Sequence, residues 1–207
     1  MIPIQIQPEL ANFNDRVRKP GIVFLNILGR KPTHKDWKEA WLWNRITKEL
    51  YQAYSGICAY SASWIPSGTI DHFIPRSCSP DLAYEWGNYR LAMEKLGNRK
   101  GNKCDLIDPF YIEYGWFTLN FATFLITPNS KLPKYLADRI KKTIQVLCLN
   151  TDNNLINTRI EALKGFASDE YPLSHLEKNY PFIAYELKRQ EMETRIKVIF
   201  HKRVPVV

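Results

Sequence analysis

The sequence predicts an α+β fold, with a small strand-and-helix core embedded in a mostly α-helical single domain. Three observations predict it. Two short β-prone runs, Ile57-Cys58-Ala59-Tyr60 and Thr69 to Ile74, sit in the middle of the chain. Around them, apolar residues recur at helical spacing over 34–54, 134–149 and 155–166. No Pro/Gly/Ser-rich linker divides the 207 residues, a length that builds a core without disulfide or metal staples. The chain reads as a supporting segment over 1–55, a core over 56–104 and a mainly helical region over 105–207, all in one unit.

Each element has a local reason. Residues 1–32 read as extended or irregular, punctuated by Pro3, Pro8, Pro20 and Pro32. Thr33 with Asp36 makes a capping-box pattern, and a helix follows from His34 to Tyr54. Its tryptophans read as core side chains rather than a base-stacking platform. The two β-prone runs, joined by Ser61 to Gly68, read as a hairpin closed by Pro75. Tyr89 to Leu96 reads as a helix disturbed by Gly97 and Gly101. Residues 110–127 suit strand or buried helix equally. Lys134 to Leu149 carries Leu136, Ile140, Ile144 and Leu147 on one face, and Asp152 is placed to cap a helix over 155–166. Pro181 fits the first turn of a last helix reaching about His201.

Composition narrows the function. The apolar fraction is 45% and the charged fraction 24%, both ordinary for a globular chain and too apolar for disorder. Lys and Arg number 29 against 21 Asp and Glu, a formal charge of +8 that favours a polyanionic partner. A solvated basic coat would give the same number. No apolar stretch reaches the length of a membrane span, and a secretory leader is not expected. Cys58, Cys78, Cys104 and Cys148 form no C-x-x-C pair, which suits a reducing cytoplasm better than a disulfide scaffold. The charge is uneven: residues 51–88 are net −2 and residues 89–104 are net +4. Metal ligands followed by phosphate-binding cations would produce that pattern.

The chemistry concentrates between 56 and 104. Asp71 and His72 are adjacent on a predicted strand, so their side chains leave on opposite faces. That geometry divides labour: Asp71 holds a hard divalent cation, Mg²⁺ or Mn²⁺, and His72 acts as a base toward water. Arg90, Lys95, Arg99, Lys100 and Lys103 supply positive charge for a nucleic-acid backbone, with Arg76 as a further candidate phosphate contact.

Thr69-Ile-Asp-His-Phe-Ile-Pro-Arg, Tyr84-Glu-Trp-Gly-Asn-Tyr-Arg-Leu-Ala and Lys100-Gly-Asn-Lys103 together resemble the HNH endonuclease family, whose core is the ββα-metal fold. The match covers 56–104, about a quarter of the chain. The resemblance implies that Asp71 is a metal ligand, His72 the general base, and Asn88 the central asparagine that holds the base in position. Two departures stand out. Only Cys58 is left of the cysteine pairs that bind zinc in many relatives, and Met93 and Leu96 fall where the second pair would be, so no structural zinc is expected. The helix metal ligand falls on Gly97, which leaves Asn98 as the nearest substitute and Asn102 behind it.

Asp108-Pro-Phe, Leu147-Cys-Leu-Asn150 and Arg159 are similar to a narrower group, the nuclease subunits of bacterial anti-phage systems of the Septu and retron-associated types. That likeness implies a DNA-cleaving effector and a P-loop ATPase partner, because the chain carries no P-loop motif of its own. Two rivals stay open: a nucleic-acid-binding or scaffolding subunit whose nuclease site has decayed, and an RNA-cleaving toxin.

Overall fold

In the structure, a computed structural model that describes residues 1–201, residues 1–10 are irregular as expected, but helix forms over 13–28. A π-helical turn, Asn14–Arg18, runs straight into α1 (Lys19–Leu28). Pro20 lies in the first turn of α1, where a missing N–H costs little. The residue read as punctuation therefore starts a helix. Gly21 lets α1 lie directly on Tyr84: a Cβ there would fall 2.2 Å from the ring carbons.

The capping box forms. Thr33 Oγ1 accepts from Asp36 N–H, the Asp36 carboxylate accepts from Thr33 N–H, and α2 (His34–Glu39) follows. The single helix expected over 34–54 breaks after α2. A 3₁₀ stretch, Leu42–Ile46, leads into α3 (Thr47–Ala53). In one straight helix Trp37 and Trp41 would share a face. The break instead buries Trp37 against Trp43, with ring centroids 6.0 Å apart, and turns Trp41 out to solvent.

The expected hairpin does not form. Ile57 makes only an isolated bridge to Trp64, and Ala59 N–H donates to Leu91. β1 (Thr69–His72) pairs instead with β2 (Tyr89–Ala92), antiparallel, with Asp71 opposite Arg90 and His72 opposite Tyr89. Residues 89–96, read as one helix, are thus a strand followed by α4 (Glu94–Lys100). Tyr89 and Leu91 alternate with Arg90 in a run too short for periodicity to decide, and the free edge of β1 settles the pairing. All four β2 residues are buried.

The undecided stretch over 110–127 yields two short strands, β3 (Phe117–Leu119) and β4 (Ile126–Pro128), paired antiparallel. The rest is helical: α5 (Lys134–Val146), α6 (Asn153–Ala167), α7 (Leu173–Asn179), α8 (Pro181–Arg189) and α9 (Glu193–His201). Asp152 caps α6 through Asn154 and Leu155 N–H. The last helix is split between α8 and α9, where Glu191 takes a φ of 54°.

Asn150 brackets Ile126 with two hydrogen bonds of 2.8 and 2.7 Å. Arg159 donates to the Phe124 and Leu149 carbonyls, and burial brings its pKa down to about 10. Both residues fasten the β3–β4 hairpin to the α5–α6 connection. One cluster of buried side chains extends from Met1 to Ile196 and joins all three sequence segments. The fold is α+β, with two small antiparallel sheets among helices. Among the described residues, no helix is long and apolar enough to cross a membrane.

Candidate functional site

β1, α4 and the α2 region surround a cleft of about 550 Å³. Asp71, His72, Arg76, Asn98 and Asn102 all line it, so five of the sequence-selected residues share one space. The remaining six, Asn88, Arg90, Lys95, Arg99, Lys100 and Lys103, do not line it.

His72 is buried edge-on between Trp43 and Tyr89, at centroid distances of 4.7 and 5.2 Å. Its Nε2 lies 2.9 Å from the Ala83 carbonyl. A carbonyl only accepts, so Nε2 carries the proton and Nδ1 keeps a lone pair in the neutral ring. Burial pushes the imidazole pKa down to about 3, aided by the Arg76 and Lys100 charges and opposed by the Ala83 bond. The ring is therefore neutral near pH 7, further from protonation than an ordinary histidine.

Asp71 points to different neighbours. Its Oδ2 accepts from Tyr60 OH at 2.5 Å and meets Lys100 Nζ at 3.2 Å. Burial raises its pKa, and the Lys100 charge and the Tyr60 hydrogen bond oppose that rise. Gly97 passes close by: a Cβ there would sit 3.5 Å from Asp71 Oδ1. The same oxygen lies 3.5 Å from Lys100 Nζ.

Asn88 braces the connection between β1 and β2. Its Oδ1 accepts from Ile74 N–H at 2.7 Å, and its Nδ2 donates to the Ile74 and Leu82 carbonyls at 3.0 Å each. The same connection carries Ala83, which orients His72, and Arg76. The Arg76 guanidinium lies over Trp43 at 4.5 Å and over Trp37 at 5.2 Å.

The basic run over 89–104 does not form the expected phosphate track. Arg90 is 2% exposed, doubly bonded to Asp108 at 2.8 and 2.6 Å, and stacked on Phe110. Lys100 is fully buried, donating to the His72 carbonyl at 2.7 Å as well as meeting Asp71. Lys95 and Arg99 both pair with Asp152. Four of the five cations thus hold the fold together, and Asp108 and Asp152 lie outside the stretch where the positive excess was counted. Lys103 is exposed, with Nζ 3.4 Å from the Arg99 carbonyl. The cleft takes its positive charge from elsewhere, through Arg76 and through Lys31 at the rim.

Sequence reasoning missed four contributors. Lys31, His34 and exposed Trp41 line the cleft from the segment around α2. Glu94 lines it too, and its i,i+4 spacing from Asn98 was the signal available in the sequence.

The donor set is all oxygen, which suits a hard cation: Asp71 Oδ1 beside the Gly97 gap, with Glu94, Asn98 and Asn102 on the same wall. No cluster of three His, Cys, Asp or Glu side chains stands ready for a metal among the described residues. A cation held here would keep much of its water shell. Where the resemblance would place the cysteine pairs, Cys58 Sγ accepts from Met93 N–H and Leu96 is buried. No family model matches the chain, and no curated protein matches it.

Proposed function

We propose that the chain is a metal-dependent endonuclease of the HNH ββα-metal type, hydrolysing phosphodiester bonds in DNA. The observation that carries this reading is the state of His72. A neutral imidazole is fixed through Nε2 on Ala83, its Nδ1 lone pair is free, and it opens on a cleft beside Asp71. The succession of β1, β2 and α4, with Asn88 bracing the loop between the strands, supports the same family reading.

His72 Nδ1 takes the proton of the attacking water. Arg76 holds a phosphate oxygen, with Lys31 reaching the strand at the rim. Asp71, Asn98 and Asn102, assisted by Glu94, would hold a Mg²⁺ or Mn²⁺ ion, which supplies positive charge to the scissile phosphate and the leaving oxygen. Tyr60 and Lys100 fix the Asp71 carboxylate from behind. In this reading the chain is the cytoplasmic effector subunit of a bacterial anti-phage system and works beside a P-loop ATPase.

The test is plasmid cleavage with Mg²⁺ or Mn²⁺, against an EDTA control. His72→Ala is expected to abolish nicking while DNA binding persists, with a lower melting temperature because the ring packs between Trp43 and Tyr89. Full cleavage by that variant sinks the base assignment.

A second reading is favoured by Gly97, which offers no ligand, and by Lys100, which already neutralises Asp71. In it the site has decayed and the chain only binds nucleic acid. DNA binding without nicking under any cation, alone or with an ATPase partner, would select it. Cleavage of tRNA but not plasmid would select the RNA-cleaving alternative.

A further inference from the structure

Two exposed cysteines lie side by side at one end of the cleft. Cys78 and Cys104 are 26 positions apart in sequence, yet their sulfur atoms are 2.7 Å apart. Cys78 ends the turn that begins at Pro75, and its N–H donates to the Pro75 carbonyl at 2.8 Å. Pro75, Arg76 and Ser77 of that turn line the cleft. Cys104 follows the end of α4, just beyond Gly101 and Asn102, which line the opposite wall. Both supporting segments are anchored. The first is fixed by Asn88 on Ile74, and the second by Lys100 on the His72 carbonyl.

We propose that Cys78 and Cys104 form a reversible disulfide site that ties the two walls of the cleft together. A disulfide needs about 2.0 Å between sulfurs, so a small side-chain rotation closes the gap. No other cysteine competes for either partner, because Cys58 is buried and bonded to Met93 N–H, and Cys148 lies on the α5–α6 connection.

The oxidant is a small disulfide such as glutathione disulfide. One of the two cysteines, as thiolate, attacks one of its sulfurs; the S–S bond breaks and one glutathione leaves as a thiol. The sulfur of the other cysteine then attacks the mixed disulfide, forming the Cys78–Cys104 bond and releasing the second glutathione. The two protons lost by the protein end on the two glutathione thiols.

The closed loop would enclose β2 and all of α4, and with them Asn88 and Lys100. Oxidation should therefore raise the melting temperature, by roughly 5–10 °C from loop closure. In a reducing compartment the pair rests as thiols and the bridge is transient.

The test uses the full chain incubated with glutathione disulfide, then analysed by thiol titration, intact mass and peptide mapping. Wild type is expected to lose two thiols without gaining an adduct, and to yield a peptide linking Cys78 to Cys104. Dithiothreitol reverses both changes and the gain in melting temperature. Cys104→Ser and Cys78→Ser are each expected to accumulate one glutathione on the cysteine of the pair that remains. Both substituted side chains are exposed, so the variants fold. Two stable adducts on wild type, bridges to Cys58, Cys148 or a second chain, or thiols that persist would each overturn the proposal.

Discussion

Asn88 offers the sharpest test of how the site is held. Its amide makes three hydrogen bonds at 2.7, 3.0 and 3.0 Å to backbone groups of Ile74 and Leu82, and it is 6% exposed. Asn88→Ala removes all three: Ile74 N–H and its carbonyl lose their side-chain partner, and the Leu82 carbonyl keeps only Glu85 N–H at 3.4 Å. At about 1 kcal/mol net per bond, the loss is about 3 kcal/mol, more if no water enters. For a chain of this size that corresponds to a fall in Tm of roughly 6–12 °C. Asn88→Asp separates the donor from the acceptor role. It keeps an oxygen for Ile74 N–H but turns a second oxygen toward two carbonyls. At neutral pH it is expected to be at least as unstable as Asn88→Ala. Its introduced carboxyl has a raised folded-state pKa, so protonation restores a donor and the deficit relative to wild type shrinks as pH falls. Urea unfolding followed by tryptophan fluorescence, with an unchanged slope m, measures both variants. An alanine variant within about 1 kcal/mol of wild type refutes the reasoning. So does an aspartate variant as stable as wild type at neutral pH.

Four further outcomes follow from other contacts in the structure. Arg90→Met leaves Asp108 buried beside an apolar side chain and is expected to cost about 3–5 kcal/mol in urea unfolding. Arg76→Ala is expected instead to leave stability within about 1 kcal/mol of wild type and to lower the salt slope of DNA binding by about 1, read by fluorescence anisotropy. A reversal of those two effects would contradict the roles assigned here. Gly21→Ala adds a Cβ 2.2 Å from the Tyr84 ring and should destabilise by about 1–3 kcal/mol in thermal melts, despite the better helix propensity of alanine. Desolvation pushes the Asp152 carboxyl up, but Lys95 and Arg99 outweigh it and hold the pKa at about 2. The folded value lies below the unfolded value of about 3.9, so the contribution, on the order of 1–2 kcal/mol, is full above the unfolded pKa and is lost as pH falls toward the folded one. Asp152→Asn should flatten that acid limb in urea midpoints measured at descending pH, and an unchanged limb would count against the pairing.

The legible parts of this chain are those written within a few residues. The Thr33–Asp36 capping box, the Asp152 cap and the apolar stripe of α5 are i,i+3 and i,i+4 relations, and each forms where the spacing put it. Adjacent Asp71 and His72 are legible for the same reason, since a strand sends neighbouring side chains to opposite sides. The misread parts depend on a partner far along the chain. Tyr89–Ala92 becomes a strand because β1 has an edge to fill, and the helix over 34–54 breaks because two tryptophans bury better than one.

The sequence by itself determined that the chain is basic and globular, and that an Asp-His pair, an asparagine and a glycine-broken helix stand together in its middle. Only the tertiary structure decided which charges are spent and which are free. Arg90, Lys95, Arg99 and Lys100 look like one basic patch in sequence, yet each meets a carboxylate from another element. Charge is counted along the chain, but a cation acts on what lies within a few ångströms in space. That is why the positive charge of the cleft falls to Arg76 and Lys31, outside the run that looked most basic.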